Sequence, residues 1–210
     1  MTLDDILDAA PVIPVIVFDR PADAVPLAQA LLRGGLRVLE VTLRTPAALD
    51  VLRAMQEVEG AIVGAGTVLG AAQYDEAVAA GARFVVSPGL TDRLAATARE
   101  RAVPLLPGTA TASEVMIVLE RGYGCMKLFP AEAAGGVELL SSLASPLPTA
   151  RFCPTGGIDP EKAKRYLALP NVVCVGGSWL VPRDAVRQGD WARITELARG
   201  TGALRQGGAR

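Results

Sequence analysis

Apolar residues along this chain gather in eight short runs, separated by longer stretches rich in Ala, Leu and Arg. The runs are VIPVIVF (12–18), RVLEVTL (37–43), AIVGAGT (61–67), RFVVSP (83–88), VPLLPG (103–108), GCMKLFP (124–130), ARFCPT (150–155) and NVVCVGG (171–177). Their starts fall 20 to 26 residues apart, which is room for a strand and a crossover helix in each unit. The segments between them carry helical signals. Ala24, Leu27, Ala28, Leu31 and Leu32 fall near one face of a helix over 22–33. Thr45-Pro46 and Asp159-Pro160 each read as an N-cap followed by proline at the first helical position. Thr111 and Glu114 fit a capping box. Eight such units predict an α/β chain folded as one (β/α)8 TIM barrel over residues 1–200, with an extra N-terminal helix at 2–8. A doubly wound open sheet is the competing arrangement. The Gly- and Arg-rich residues 201–210 read as a disordered tail.

Two runs break the apolar pattern in an ordered way. In the sixth, strand alternation puts Cys125, Lys127 and Phe129 on one face and Met126 and Leu128 on the other. In the second, Glu40, Thr42 and Arg44 share one face, opposite Leu39, Val41 and Leu43. In a sheet wrapped by helices the apolar face looks outward, so both polar faces look inward. Lys127, Glu40 and Arg44 are thereby predicted to meet inside the barrel, near the strand ends where barrel active sites lie. A buried ion cluster with a purely structural role is the alternative, and such clusters are weak stabilisers.

Composition narrows the chemistry. The 210 residues contain no histidine, which removes the usual Ser-His-Asp and Cys-His arrangements and makes a catalytic zinc site improbable. Only three of the 21 basic residues are lysines, and Lys162 and Lys164 sit in a polar stretch that reads as a helix surface. Lys127 is the lysine out of place. Cys125, Cys153 and Cys174 are odd in number and widely spaced within strand-like runs, so they read as buried core thiols. A net charge of −1 with no basic run gives no footprint for nucleic acid. The apolar runs are too short to span a membrane, and the acidic start MTLDDILDAAP lacks the features of a signal peptide. A cytoplasmic protein is expected.

Glycines mark a second feature. PTGGI (154–158) follows the seventh run and VGGSW (175–179) the eighth. Barrels often hold phosphate with the loops after strands seven and eight. Glycine lets backbone N–H groups approach an anion closely, and Thr155 and Ser178 can add hydroxyls. Tight turns alone would also explain these glycines. In GAGT (64–67) the glycines can spare room inside the barrel, while Thr67 can bond a carboxylate.

A desolvated amine favours its neutral form, which attacks ketones and forms a Schiff base. The iminium then accepts the electrons of a breaking carbon–carbon bond. Glu40 can move the protons and Arg44 can clamp a carboxylate. These residues suggest a metal-free Schiff-base aldolase, needing no cofactor, that acts on a phosphorylated 2-keto acid.

The motifs VLEVTLRT, VGAGTVL, SPGLT, KLFPAE, RFCPTGGI and VGGSWLVP, in this order, closely resemble those of the 2-keto-3-deoxy-6-phosphogluconate (KDPG) aldolases. The resemblance covers about residues 10–200. It implies cleavage of KDPG to pyruvate and glyceraldehyde 3-phosphate in the Entner–Doudoroff pathway. It further implies Lys127 as the Schiff-base residue and Glu40 as the general acid/base. Arg44 and Thr67 would hold the pyruvate carboxylate, with Pro88 and Phe129 lining the pocket. Thr155, Gly156, Gly157, Gly176, Gly177 and Ser178 would receive the hydroxyl and phosphate end. It implies no metal, a homotrimer, and side activities on 2-keto-4-hydroxyglutarate or oxaloacetate. Leu128 departs from the aromatic residue expected in KLFPAE. An aldolase for the C4-epimeric galactonate substrate, a sugar-phosphate isomerase or epimerase, and a catalytically silent phosphate-binding barrel are the competing readings.

Overall fold

Strand alternation and glycine-ended helices build a parallel α/β structure, described here for residues 1–205 from a computed structural model. The strands are β1 (Val12–Ile16), β2 (Val38–Thr42), β3 (Ile62–Gly66), β4 (Val85–Val86), β5 (Leu105–Leu106), β6 (Gly108–Thr109), β7 (Cys125–Leu128), β8 (Arg151–Pro154) and β9 (Val175–Gly177). The helices are α1 (Leu3–Leu7), α2 (Ala24–Arg33), α3 (Ala48–Gln56), α4 (Ala71–Ala79), α5 (Asp92–Glu100), α6 (Ala112–Glu120), α7 (Gly136–Ala144), α8 (Pro160–Leu167), α9 (Arg183–Gln188) and α10 (Trp191–Gly200). One parallel sheet runs β5-β4-β3-β2-β1-β9 and a second runs β6-β7-β8.

The fifth apolar run thus forms two strands where one was expected. Pro107 separates them because it has no N–H to give to a ladder. Its carbonyl still accepts from Lys127 N at 2.8 Å. On the other side, the isolated bridges Phe152–Val172 and Thr155–Gly176 link β8 to the β9 segment.

The two faces of the strands bury different things. Leu39, Val41, Met126, Leu128 and Phe152 pack outward with Leu27, Leu31, Val51, Leu140 and other helix residues. The inward face starts apolar: Ile13, Val38, Ile62, Phe84, Cys125, Cys153 and Cys174 form a second cluster. Helix α1, which falls within the residues 2–8 expected as helical, lays Ile6 and Leu7 on that cluster. Both are fully buried, which contributes roughly 2 kcal/mol each. Asp4 fastens α1 to Arg151 at 2.5 Å. Further along the same inward faces, toward the C-terminal strand ends, the residues turn polar.

Capping follows the sequence at two of three expected places. Thr111 and Glu114 form the capping box of α6, and Asp159 accepts from Lys162 N to start α8. Thr45 does not cap α3, which begins at Ala48. Its hydroxyl instead donates to Phe18 O at 2.6 Å, a tertiary partner that local sequence does not reveal. A disordered tail is expected from residue 201. Thr201–Arg205 make a 3-10 turn, with the buried Thr201 donating to Ala198 O and Leu204 packing on the outer core. Residues 206–210 lie outside the described residues.

Candidate active site

Glu40 lies in the middle of β2, in register with Val15 of β1 and Gly64 of β3. Lys127 lies in β7, between Gly108 of β6 and Cys153 of β8. Inward parity carries both side chains across the interior, where Lys127 Nζ donates to Glu40 Oε1 at 3.2 Å. Their side chains are only 7% and 5% exposed. The Phe129 ring lies 5.3 Å from the same ammonium, close enough for a cation–π attraction. A buried charge needs such partners, because isolated it would be prohibitively costly.

Gly66 makes room for this pair, and Gly64 for the apolar layer beside it. A Cβ at Gly66 would fall 2.2 Å from Glu40 Oε1, and one at Gly64 would fall 2.5 Å from the Phe84 ring. Gly66→Ala is therefore expected to displace the carboxylate and lower kcat on the order of 100-fold. Gly70→Ala is the control, since nothing lies within 4 Å of a Cβ there. Steady-state kinetics on the two variants checks this, and wild-type kcat in Gly66→Ala would refute it.

The inner threonines hold backbone. Thr42 donates to Ile16 O at 2.9 Å and Thr109 to Lys127 O at 3.2 Å. Thr67, the residue just past β3, has φ of +60°. A β-branched residue rarely adopts that conformation, which concentrates at functional sites. Arg44 differs from expectation. It lies two residues beyond β2, its side chain is exposed, and among the described residues it forms no ion pair. The interior thus holds a Lys–Glu pair, with the arginine at its rim, because the chain turns away after Thr42. Pro88 and Phe129 are half-buried past the ends of β4 and β7. Gly108 approaches the Pro88 backbone so closely that a Cβ would sit 2.2 Å from its carbonyl carbon.

The sequence profile of the KDPG and KHG aldolases matches residues 3–197. The chain belongs to that aldolase family. It is 54% identical over 197 residues to the KHG/KDPG aldolase of Escherichia coli K12, covering 93% of this chain and 92% of that one. The KDPG aldolase structure of Zymomonas mobilis ATCC 29191 superposes with a TM-score of 0.94 at 49% identity, over 100% of both chains. The KDPG aldolase of Legionella pneumophila, with pyruvate captured as a covalent carbinolamine, superposes with a TM-score of 0.92. It is 47% identical and covers 94% of this chain and 97% of that one.

In this family member the two glycine pairs sit side by side. Thr155 bridges to Gly176, and a Cβ on Gly176 would lie 2.2 Å from Thr155 Oγ1. Gly156 and Gly157 have φ of +107° and +76°, values that only glycine adopts freely. Thr155 is buried, Gly157 and Ser178 are exposed, and Gly177 packs under the Trp179 ring. The three cysteines are buried thiols. Burial, and then the hydrogen bond to Asp4, push the Cys125 thiol up to about 12, which suits a core thiol and not a nucleophile. Among the described residues no group of three or more Cys, Asp or Glu is placed to hold a metal ion, and no helix is long and apolar enough to cross a membrane.

Three residues escaped the sequence reading. Glu132, just past β7, accepts from the buried Tyr166 hydroxyl at 2.5 Å and pairs with Lys162 at 2.9 Å. Those two contacts, Tyr166 first, hold the Glu132 carboxyl below its ordinary value. Lys162 also donates to Gly157 O at 2.9 Å. It is not merely a surface lysine, whereas Lys164 pairs only along its own helix with Glu161. The KLFPAE motif contained Glu132, but nothing local pointed to its partners.

Proposed function

We propose that this chain is a class I aldolase that cleaves 2-keto-3-deoxy-6-phosphogluconate to pyruvate and glyceraldehyde 3-phosphate. One observation carries the reading: the buried Lys127–Glu40 pair, an amine and a proton carrier 3.2 Å apart on the inward faces of parallel strands. Lys127 Nζ attacks the C2 ketone to give a carbinolamine, which loses water to form an iminium. Glu40 carries the protons of those steps. A proton leaves the C4 hydroxyl and the C3–C4 bond breaks. Its electron pair moves into the iminium, leaving an enamine and releasing the aldehyde. Protonation at C3 and hydrolysis then return pyruvate and the free lysine.

Arg44 and Thr67 hold the carboxylate in this reading, with Pro88 and Phe129 as walls. Thr155, Gly156, Gly157, Gly176, Gly177 and Ser178 take the hydroxyl and phosphate end, where glycine N–H groups suit an anion. The two sheets act as one closed (β/α)8 barrel, with β5 and β6 as a single strand interrupted at Pro107. The bridges between β8 and β9 support that closure. A homotrimer, a cytoplasmic setting and side activity on 2-keto-4-hydroxyglutarate or oxaloacetate accompany the reading.

Borohydride reduction of the protein with pyruvate, followed by peptide mass spectrometry, tests it. A reduced pyruvyl adduct on Lys127 is expected. Folded protein at saturating pyruvate with no adduct would remove the Schiff base and leave an isomerase or a binding protein.

A further inference from the structure

The glycine turn after β8 is held from behind. The carbonyl of Thr155 accepts from Ala131 N at 2.8 Å and that of Gly156 from Glu132 N at 3.2 Å. The third carbonyl, of Gly157, accepts from Lys162 Nζ at 2.9 Å. All three carbonyls are thus engaged, two by the turn after β7 and one by α8. Among the described residues the Gly157 N–H donates to no protein acceptor, while the parallel bridge of Thr155 with Gly176 turns the Gly156 N–H toward Gly176 O. A turn with its carbonyls bound and the Gly157 N–H open presents a backbone donor to an anion.

One side-chain set holds the Gly157 end of this turn. Glu132 accepts from Tyr166, which is fully buried, and pairs with Lys162, whose ammonium also reaches Gly157 O. Asp159 fixes the start of α8 through Lys162 N, so the lysine is anchored at both ends. The packing is close. A Cβ at Gly157 would lie 2.9 Å from Glu132 Cγ, and one at Gly136 would lie 3.3 Å from Tyr166 Oη.

We infer that Glu132, Lys162 and Tyr166 are positioning residues that turn the Gly157 N–H toward the phosphate end of the substrate, and so set the preference for phosphorylated substrates. This rests on the assignment of the glycine turn to the phosphate end. Lys162 acts through Gly157 O and makes no contact with the reacting atoms. Its loss acts on recognition of the far end of the substrate and spares Schiff-base formation at Lys127.

The experiment compares kcat and KM for KDPG and for unphosphorylated 2-keto-4-hydroxyglutarate in Lys162→Met, Lys162→Arg, Glu132→Gln and the control Lys164→Met. Lys162→Met and Glu132→Gln are expected to raise KM for KDPG about tenfold, the worth of one charge-assisted hydrogen bond. Turnover of the unphosphorylated substrate and borohydride trapping of pyruvate should change less than twofold. Lys162→Arg should recover most of the loss, and Lys164→Met should show none. Equal losses on both substrates would make the set merely structural and overturn the inference. An unchanged KM in both Lys162→Met and Glu132→Gln, or an equal rise in Lys164→Met, would overturn it too. If the wild-type enzyme itself does not favour KDPG and is not inhibited by inorganic phosphate, the phosphate assignment fails first. Lys162→Met then cannot be blamed.

Discussion

Lys127→Met is expected to abolish turnover and borohydride trapping together. Methionine fits the volume between Glu40 and Phe129 and keeps the β7 alternation, so the fold should survive. The nucleophile is gone, and removal of a nucleophile from a covalent mechanism costs roughly 10⁴- to 10⁶-fold in kcat. The variant also leaves Glu40, 5% exposed, without its cation, which should cost about 3 kcal/mol of stability. A second substitution separates the two effects. Lys127→Met combined with Glu40→Leu removes both charges, so stability should return toward wild type while activity stays lost. Urea unfolding and a pyruvate-coupled assay check both halves. Activity within tenfold of wild type in Lys127→Met would eliminate the Schiff-base mechanism. If the double variant regains activity, the pair serves only the fold.

The strand alternation of two made the central pair legible from sequence. Lys127 and Glu40 each sit at an inward position of a run whose outward positions are aliphatic, and parity transfers directly to the structure. The layering of the interior was legible only in part. Cys125 and Lys127 share a face, yet one clusters with the apolar residues of α1 and the other faces Glu40. That difference depends on height along the strand, which the runs locate only roughly. Arg44 shared the parity of Glu40 but lies past the end of β2, where alternation no longer governs direction. The break in the fifth run is visible as Pro107 in the sequence, but its effect on pairing depends on which neighbours need an N–H there. Lys162 was the least legible. Its local pattern is that of an exposed helix turn, and its importance comes from Gly157 and Glu132, the latter thirty residues earlier in the chain. Contacts of that kind leave no periodic trace. The glycines at 66 and 176 were readable as features, while the atoms they make room for emerged only from the packing.

Glu40→Gln is the second large effect, and it isolates proton transfer from nucleophilic attack. The amide has the shape of the carboxylate, and its oxygen can still accept from Lys127 Nζ, so the side chain should stay between Gly64 and Gly66. What it cannot do is take up and return a proton. Carbinolamine formation, its dehydration and carbon–carbon cleavage each require that transfer, so kcat is expected to fall about 10²- to 10⁴-fold. The KM should move far less, because the proposed site holds the carboxylate and phosphate ends of the substrate elsewhere. Trapping gives the sharper readout. Lys127 remains, so pyruvate and borohydride should still reach one adduct per chain, but more slowly than in wild type. In Lys127→Met no adduct should ever form. Slow trapping to full stoichiometry in one variant and none in the other assigns the nucleophile to Lys127 and the proton traffic to Glu40. Wild-type trapping rate and wild-type kcat in Glu40→Gln would show instead that a water or another group carries the protons. The close contact between Gly66 and Glu40 would then serve only to seat a counter-ion for the buried lysine.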